Sequence, residues 1–289
     1  MQENPEISAL FHLIDDPDEE VFSTVTERIV SLGHAIIPNL ENLWETTPDE
    51  GVQERIEMLI HKLHLRDLIN DFTTWKNGPC DLLQGALLVS RYCYPEMNTT
   101  TTYQEMEKIR RNIWLELNSY LTPLEQVNVI TGILYSYYKL KGNEVTYDIQ
   151  EDFLINKVIE QKKGNSITNG ILYLIICELL DIPLRAINIP KQFILGYFDI
   201  DYKFPNPEKL KSEKINFYID PLNGQIYSHK DVENYFKRIS VPPTASYFRQ
   251  LGNKRIIQHL LEEYSKCFTD VANLYKKNDL LFLAKLLDD

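Results

Sequence analysis

The sequence of 289 residues has no uninterrupted apolar run that approaches the roughly 20 residues needed to cross a bilayer. Residues 1–40 also lack a basic start followed by an apolar stretch, which is the pattern of a secretory leader. We therefore predict a cytoplasmic protein with no membrane partner. With 44% hydrophobic positions, the chain is still able to bury a sizeable core.

Positive charge is also scarce. The 30 lysines and arginines are outnumbered by 42 aspartates and glutamates, which gives a formal net charge of −12. This excess of negative charge disfavours a general electrostatic attraction to nucleic acid or anionic lipid. We predict that the chain has no nucleic-acid partner.

Cysteine is sparse, and no pair has the CxxC or Cys/His spacing of a zinc site. The wide separation of the thiols argues against a disulfide framework. We predict no metal and no cofactor, and we expect buried free thiols, the usual state of unpaired cysteine. The cysteines are Cys80, Cys93, Cys177 and Cys267.

Helical periodicity dominates residues 1–77. Apolar residues recur at intervals of three and four in short segments, which end at breaks such as Gly33 and Pro48. Residues 49–77 are predicted to begin two further helices. Such short antiparallel helices resemble HEAT-type repeats, in which each pair buries its apolar face against the next. A plain helical bundle fits the periodicity nearly as well.

Longer helical segments follow, and strands are predicted only after Pro183. One of the helices opens at Thr122 with Glu125 three residues later, the spacing of a capping box. The order of elements predicts a mostly helical α+β protein. Its predicted regions are a helical segment at 1–77, a main domain at 78–240 and a C-terminal helical pair at 241–289. The predicted strands are residues 184–189, 193–200 and 215–221, with a charged, Pro-containing loop at 201–214 and a tight turn at Asn223-Gly224 before residues 225–228.

A helix is predicted to begin within a residue or two of Ser166, since apolar residues repeat with helical spacing after it. A buried helix N-terminus offers free N–H groups and the positive end of the helix dipole. These lower the pKa of a thiol and stabilise an oxyanion. A nucleophile at this place would need a histidine on the adjacent strand and a carboxylate or amide to orient it.

The run from Gly164 through "LLDIPLRAINIPKQFILGYFD" to "FYIDPLNG" resembles the SirB-type bacterial transglutaminase-like family, within the transglutaminase and papain-like superfamily. The resemblance covers about residues 81–238. It implies one central helix packed on a small antiparallel sheet. It also implies positions for a catalytic cysteine, histidine and aspartate, and in this sequence these positions hold Ser166, Gln192 and Asp220.

These replacements predict weak catalysis. A serine hydroxyl needs a general base more than a thiol does, and the amide of Gln192 neither accepts nor donates a proton near neutral pH. We therefore interpret the chain as a catalytically inactive transglutaminase-like domain that acts as a protein-binding or scaffold module. The alternative is a hydrolase or acyltransferase with residual amide or ester chemistry in the same cleft. A filled cleft would exclude that alternative.

Other chemistry-bearing residues have structural interpretations. Cys177 is predicted in the core, and His229 is predicted at a helix start that Ser228 caps with Asp231. Asp220 also has a structural alternative, because an aspartate before Pro-x-Asn-Gly holds a turn through its own side chain. The remaining histidines are predicted at the surface or in interfaces: His12, His34, His61, His64 and His259.

Overall fold

The computed structural model describes residues 5–198 and 215–288, which fall into two compact units, Met1–Asp71 and Phe72–Asp289. The predicted loop at 201–214 and the end of the second predicted strand, residues 199–200, lie outside the described residues. Within the described ranges, no helix combines the length and the apolar character that a membrane span requires.

The first unit is built from helices around a small apolar core. Asp18 caps the second helix, because its carboxylate accepts a hydrogen bond of 2.9 Å from the N–H of Glu20. The helices are α1 (Pro5–His12), α2 (Glu19–Leu32), α3 (Ile37–Thr46) and α4 (Glu50–Asn77). The buried core residues include Ile14, Ile29, Leu40, Ile56 and Leu63.

The prediction of two helices over residues 49–77 is wrong, since α4 is continuous over 28 residues. The reason is visible in the sequence, because residues 52–77 contain neither proline nor glycine to end a helix. The HEAT-like character of this region stays a prediction.

The second unit contains the other helices and all described strands. A π-helical segment, Gly132–Tyr137, directly follows α7. Capping boxes begin α7 at Thr122 and α10 at Ser228, as predicted. The helices are α5 (Leu82–Arg91), α6 (Thr100–Glu116), α7 (Pro123–Thr131), α8 (Ile155–Gln161), α9 (Ser166–Leu179), α10 (His229–Arg238), α11 (Asn253–Ser265) and α12 (Leu274–Leu286).

Four antiparallel strands form the main sheet in the order β3-β4-β5-β6; the first three lie at the places predicted, and β6 follows the predicted turn at Asn223-Gly224. They are β3 (Leu184–Ile189), β4 (Gln192–Phe198), β5 (Ile215–Asp220) and β6 (Gln225–Tyr227). The register sets Ile187 opposite Ile194 and Leu195 opposite Ile219.

The expectation that strands occur only after Pro183 is wrong. A short parallel pair, β1 (Lys141–Asn143) and β2 (Lys163–Asn165), precedes the sheet. Each strand has only three residues with a central glycine, so neither shows the alternation by which strands are recognised in a sequence. The pair positions the start of α9, since β2 ends where α9 begins.

Helix α9 is the central helix of the unit, and it packs against β3 and β4. Gly170 allows a close approach to the sheet, because a Cβ there would lie 2.5 Å from the ring of Phe193. The opposite face of the sheet is covered by Val232 and Phe236 of α10. The structure therefore has the predicted fold class, a mostly helical α+β protein with a central helix on a small antiparallel sheet.

Candidate functional site

Ser166 is the first residue of α9, and its neighbour Asn165 caps the helix. The Asn165 Oδ1 accepts hydrogen bonds from the N–H groups of Ile167 at 2.9 Å and Thr168 at 3.0 Å. Asn165 is only 1% exposed. Two N–H donors in the first turn of α9, those of Ile167 and Thr168, are therefore already engaged by a side chain and are less available to an oxyanion.

A cavity of about 420 Å³ opens beside Ser166. Its size lies within the range of roughly 300 to 1,000 Å³ that is typical of ligand pockets. Ser166 and Gln192 both line it, so the structure places these two predicted site residues around one open space. The other lining residues are Val145, Tyr147, Ile167, Ile187, Asn188, Ile189, Pro190, Lys191, Phe193, Leu251, Arg255, His259, Glu263 and Lys266.

Gln192 is the exposed first residue of β4 and also borders a second cavity, of about 270 Å³, beside Tyr235 of α10. Its neighbour Phe193 is the residue that reaches towards α9 at Gly170. The ring of Phe193 thus fills the space between α9 and β4, and this ring can neither accept nor donate a proton.

Asp220 ends β5 and does not line the cavity around Ser166 in the described part of the chain. Its Oδ1 accepts a hydrogen bond of 2.8 Å from the N–H of Leu222, and its Oδ2 accepts one of 3.4 Å from the hydroxyl of Tyr227. These contacts are those of an aspartate that holds the following turn. It stays a prediction that these positions correspond to a former catalytic triad of Ser166, Gln192 and Asp220.

Helix α11 contributes cavity residues that the sequence interpretation did not assign to a site. The ring of His259 stacks on that of Phe193, with centroids 6.1 Å apart and planes inclined by 6°. His259 was expected at a surface or interface, but it borders the same cavity as Ser166. The spacing of Arg255, His259 and Glu263 at i, i+4 and i+8 could have indicated one shared helix face.

The charged groups of α11 are paired, and burial affects their ionisation. Burial lowers the pKa of His259, so its imidazole is neutral near pH 7. Burial opposes ionisation of Glu263, yet hydrogen bonds from Lys266 at 2.5 Å and Tyr147 at 2.8 Å lower its pKa overall. Within residues 5–198 and 215–288, no group of three His, Cys, Asp or Glu side chains is arranged to hold a metal ion.

Comparison with known proteins supports the transglutaminase-like family that the sequence resembles. The sequence profile described as "Transglutaminase-like superfamily" matches residues 100–262. Protein SirB1 of Salmonella typhimurium is 24% identical over 192 residues, which are 65% of this chain and 66% of SirB1, slightly less than two thirds of that protein. UPF0162 protein YchA of Escherichia coli K12 is 21% identical over 202 residues, 69% of this chain and 68% of YchA.

A more distant relative is F-box only protein 21 of Homo sapiens, with 22% identity over 164 residues that cover 48% of this chain and 26% of that protein. No solved structure matches the chain. The profile nevertheless covers more than half of the sequence, and its span includes the cap, the central helix, the sheet and most of α11. The chain belongs to the SirB-type transglutaminase-like family.

Proposed function

We propose that this chain is a catalytically inactive transglutaminase-like domain that binds a protein partner. One observation carries the proposal: Asn165 occupies the N–H groups of Ile167 and Thr168 at the start of α9, directly beside Ser166. A serine there meets no base at position 192, and the N–H groups of the two residues that follow it are already engaged.

Acyl transfer by a serine requires a base for its hydroxyl proton and donors for the developing oxyanion. Gln192 supplies no base, and the cap engages two of the donors, the N–H groups of Ile167 and Thr168. Loss of one member of a nucleophile–base unit typically costs roughly 10⁶-fold in rate. Conventional catalysis at Ser166 is therefore disfavoured on two independent chemical grounds.

Two accessible surfaces support the binding of a protein partner. The cavity beside Ser166 is open, with apolar walls and charged groups at its border. Apolar side chains are also exposed near α6 and the π-helical segment, where Trp114 is 59%, Leu115 is 65% and Tyr137 is 70% exposed. Leu115 and Tyr137 border a groove of about 470 Å³. Contiguous exposed apolar surface is typical of sites that contact a partner.

A fluorophosphonate probe tests the proposal, because it forms a covalent adduct only with an activated serine. We expect no adduct at Ser166 when the intact chain is treated and its peptides are analysed by mass spectrometry. The Ser166→Ala variant provides the background. An adduct at Ser166 that this variant lacks would show an active nucleophile and overturn the proposal.

A second candidate function is ester or amide hydrolysis, and the neutral imidazole of His259 at the same cavity favours it. In that case His259 would act as the base for Ser166. Turnover of p-nitrophenyl acetate should then fall by about 10²- to 10⁴-fold in His259→Gln, the usual contribution of a general base. Equal hydrolysis by the parent chain and by both the Ser166→Ala and His259→Gln variants would exclude this function.

A further inference from the structure

We infer that the cavity beside Ser166 binds an acidic peptide segment, one that presents a carboxylate side chain next to an apolar side chain. The inference rests on the proposed function as a protein-binding module and specifies the chemistry of its partner. It is carried by the charges and the apolar walls that line this one cavity.

Charge at the cavity has the opposite sign to that of the whole chain. Three cationic residues line it, Lys191, Arg255 and Lys266, against the single carboxylate of Glu263. The complete sequence has a formal net charge of −12. A locally positive cleft on an acidic protein favours anionic ligands by charge complementarity.

The carboxylates nearby leave an excess of positive charge at the cavity. Glu263 pairs with Lys266, so these two charges offset each other, and Glu263 also accepts a hydrogen bond from the hydroxyl of Tyr147. Arg255 pairs with Glu262 at 2.9 Å, which leaves further guanidinium N–H groups for a ligand. Among the described residues, no carboxylate forms an ion pair with Lys191, which is exposed in the turn between β3 and β4.

The cations approach the cavity from two different elements. Lys191 belongs to the turn between β3 and β4, whereas Arg255 and Lys266 come from α11 and its C-terminal end. A ligand carboxylate inside the cavity can therefore meet positive charge from the sheet and from the helix. This arrangement differs from a row of lysines along one solvated helix face.

The walls of the cavity explain why the ligand also needs an apolar part. Ile167, Ile187, Phe193 and Leu251 line it together with the charged groups. Burial of apolar surface is favourable, so an apolar side chain adds affinity that a free carboxylate lacks. With about 420 Å³, the cavity accepts a few side chains of an extended segment rather than a folded domain.

Selection from a random hexapeptide phage library against the full chain tests the inference. We expect enrichment of Asp or Glu beside an apolar residue. The variant Lys191→Asn with Arg255→Gln removes two cations, and it should lose this enrichment. Asparagine suits position 191 because the backbone there has φ +62°.

Lys139→Asn is the matched control, since Lys139 is also an exposed lysine with positive φ, 58°, and does not line the cavity. This control should enrich the same peptides as the parent chain. A synthetic peptide of the enriched sequence should bind the parent about tenfold or more tightly than its counterpart with glutamine for glutamate, which corresponds to ~1.4 kcal/mol or more.

Three results would overturn the inference: no enrichment, enrichment without acidic residues, or acidic peptides that bind the double variant as well as the parent. Failure of the proposed function is seen separately, as fluorophosphonate labelling of Ser166. That reaction does not depend on Lys191 or Arg255, so the two failures are distinguishable.

Discussion

Asn165 and Ser166 are adjacent in the chain but have different surroundings. Asn165 is buried and caps α9, whereas Ser166 is half-buried and borders the open cavity. At the scale of single residues, the chemistry of this site thus depends on a side chain beside the expected nucleophile. Restoring the missing chemical groups tests whether the positions still correspond to those of a thiol enzyme.

The double variant Ser166→Cys with Gln192→His should be alkylated by iodoacetamide near pH 6 faster than Ser166→Cys alone. An imidazolium beside a cysteine lowers the thiol pKa from about 8.5 into the range of roughly 3.5 to 7.5. The single variant should react slowly, because it has no imidazolium beside the thiol and Asn165 already engages the N–H groups of Ile167 and Thr168.

The parent chain gives the baseline for this experiment. Burial raises the pKa of the Cys93, Cys177 and Cys267 thiols, so these react slowly at pH 6. Equal alkylation rates for the single and double variants would mean that the introduced groups are out of reach of each other. The assignment of positions 166 and 192 would then be wrong.

His259 should make stability depend on pH. Its folded-state pKa is lowered by burial, so the unfolded chain binds a proton as pH falls through about 6.5 while the folded chain does not. The free energy of unfolding should therefore decrease from about pH 6.5 down to the lower folded pKa. Urea denaturation of the parent and of His259→Gln should show a shallower decrease for the variant, and identical pH slopes would contradict this account.

At the scale of elements, β1 and β2 connect the start of α9 to the turn that Asp220 holds. Asn169 of α9 donates a hydrogen bond of 3.2 Å to the carbonyl of Lys141 in β1. Gly142, the central residue of β1, lies directly against the backbone carbonyl of Leu222. This close approach leaves no room for a side chain at position 142.

Gly142→Ala should therefore destabilise the fold. Its Cβ would overlap the Leu222 carbonyl, a backbone group that cannot rotate away, and forced overpacking typically costs about 1–3 kcal/mol. Chemical denaturation measures the change. Gly132→Ala is the control, because its Cβ would meet no atom within 4 Å and its helical setting favours alanine. Equal stability of the two variants would contradict the packing argument.

At the scale of the whole molecule, the compact units separate at Asp71, within α4, whereas the sequence interpretation places a boundary after residue 77. Phe72 and Trp75 lie between the two positions, and both are buried. The Trp75 Nε1 donates a hydrogen bond of 2.7 Å to the carbonyl of Asp81, and its ring lies against Gly85. These residues belong to the core of the second unit.

A chain of residues 72–289 should consequently unfold at a higher temperature than a chain of residues 78–289. The shorter chain lacks Phe72 and Trp75, and loss of one such buried aromatic side chain costs about 3–5 kcal/mol. Thermal unfolding and binding of a hydrophobic dye compare the two chains. Equal melting temperatures would show that these aromatic residues do not stabilise the second unit.

Local features of the sequence determined much of this fold. Three strands of the main sheet, β3 to β5, the beginning of α9 at Ser166 and the capping boxes at Thr122 and Ser228 follow from alternation, helical periodicity and cap spacing, which act between near neighbours in the chain. The resemblance around Gly164 likewise indicated the family. Among the helices, the continuity of α4 was missed, although the absence of a breaker encodes it, and the short helix α8 was not predicted.

Tertiary structure alone decided what surrounds Ser166. The parallel pairing of β1 with β2 and the placement of His259, Arg255 and Lys266 at the cavity join segments that are far apart in the sequence. Periodicity specifies which face of α11 is buried, but the partner of that face is set by complementary packing of the whole unit. For this reason the sequence predicts the missing chemistry at Ser166 and Gln192, while only the fold reveals the cationic cavity beside them.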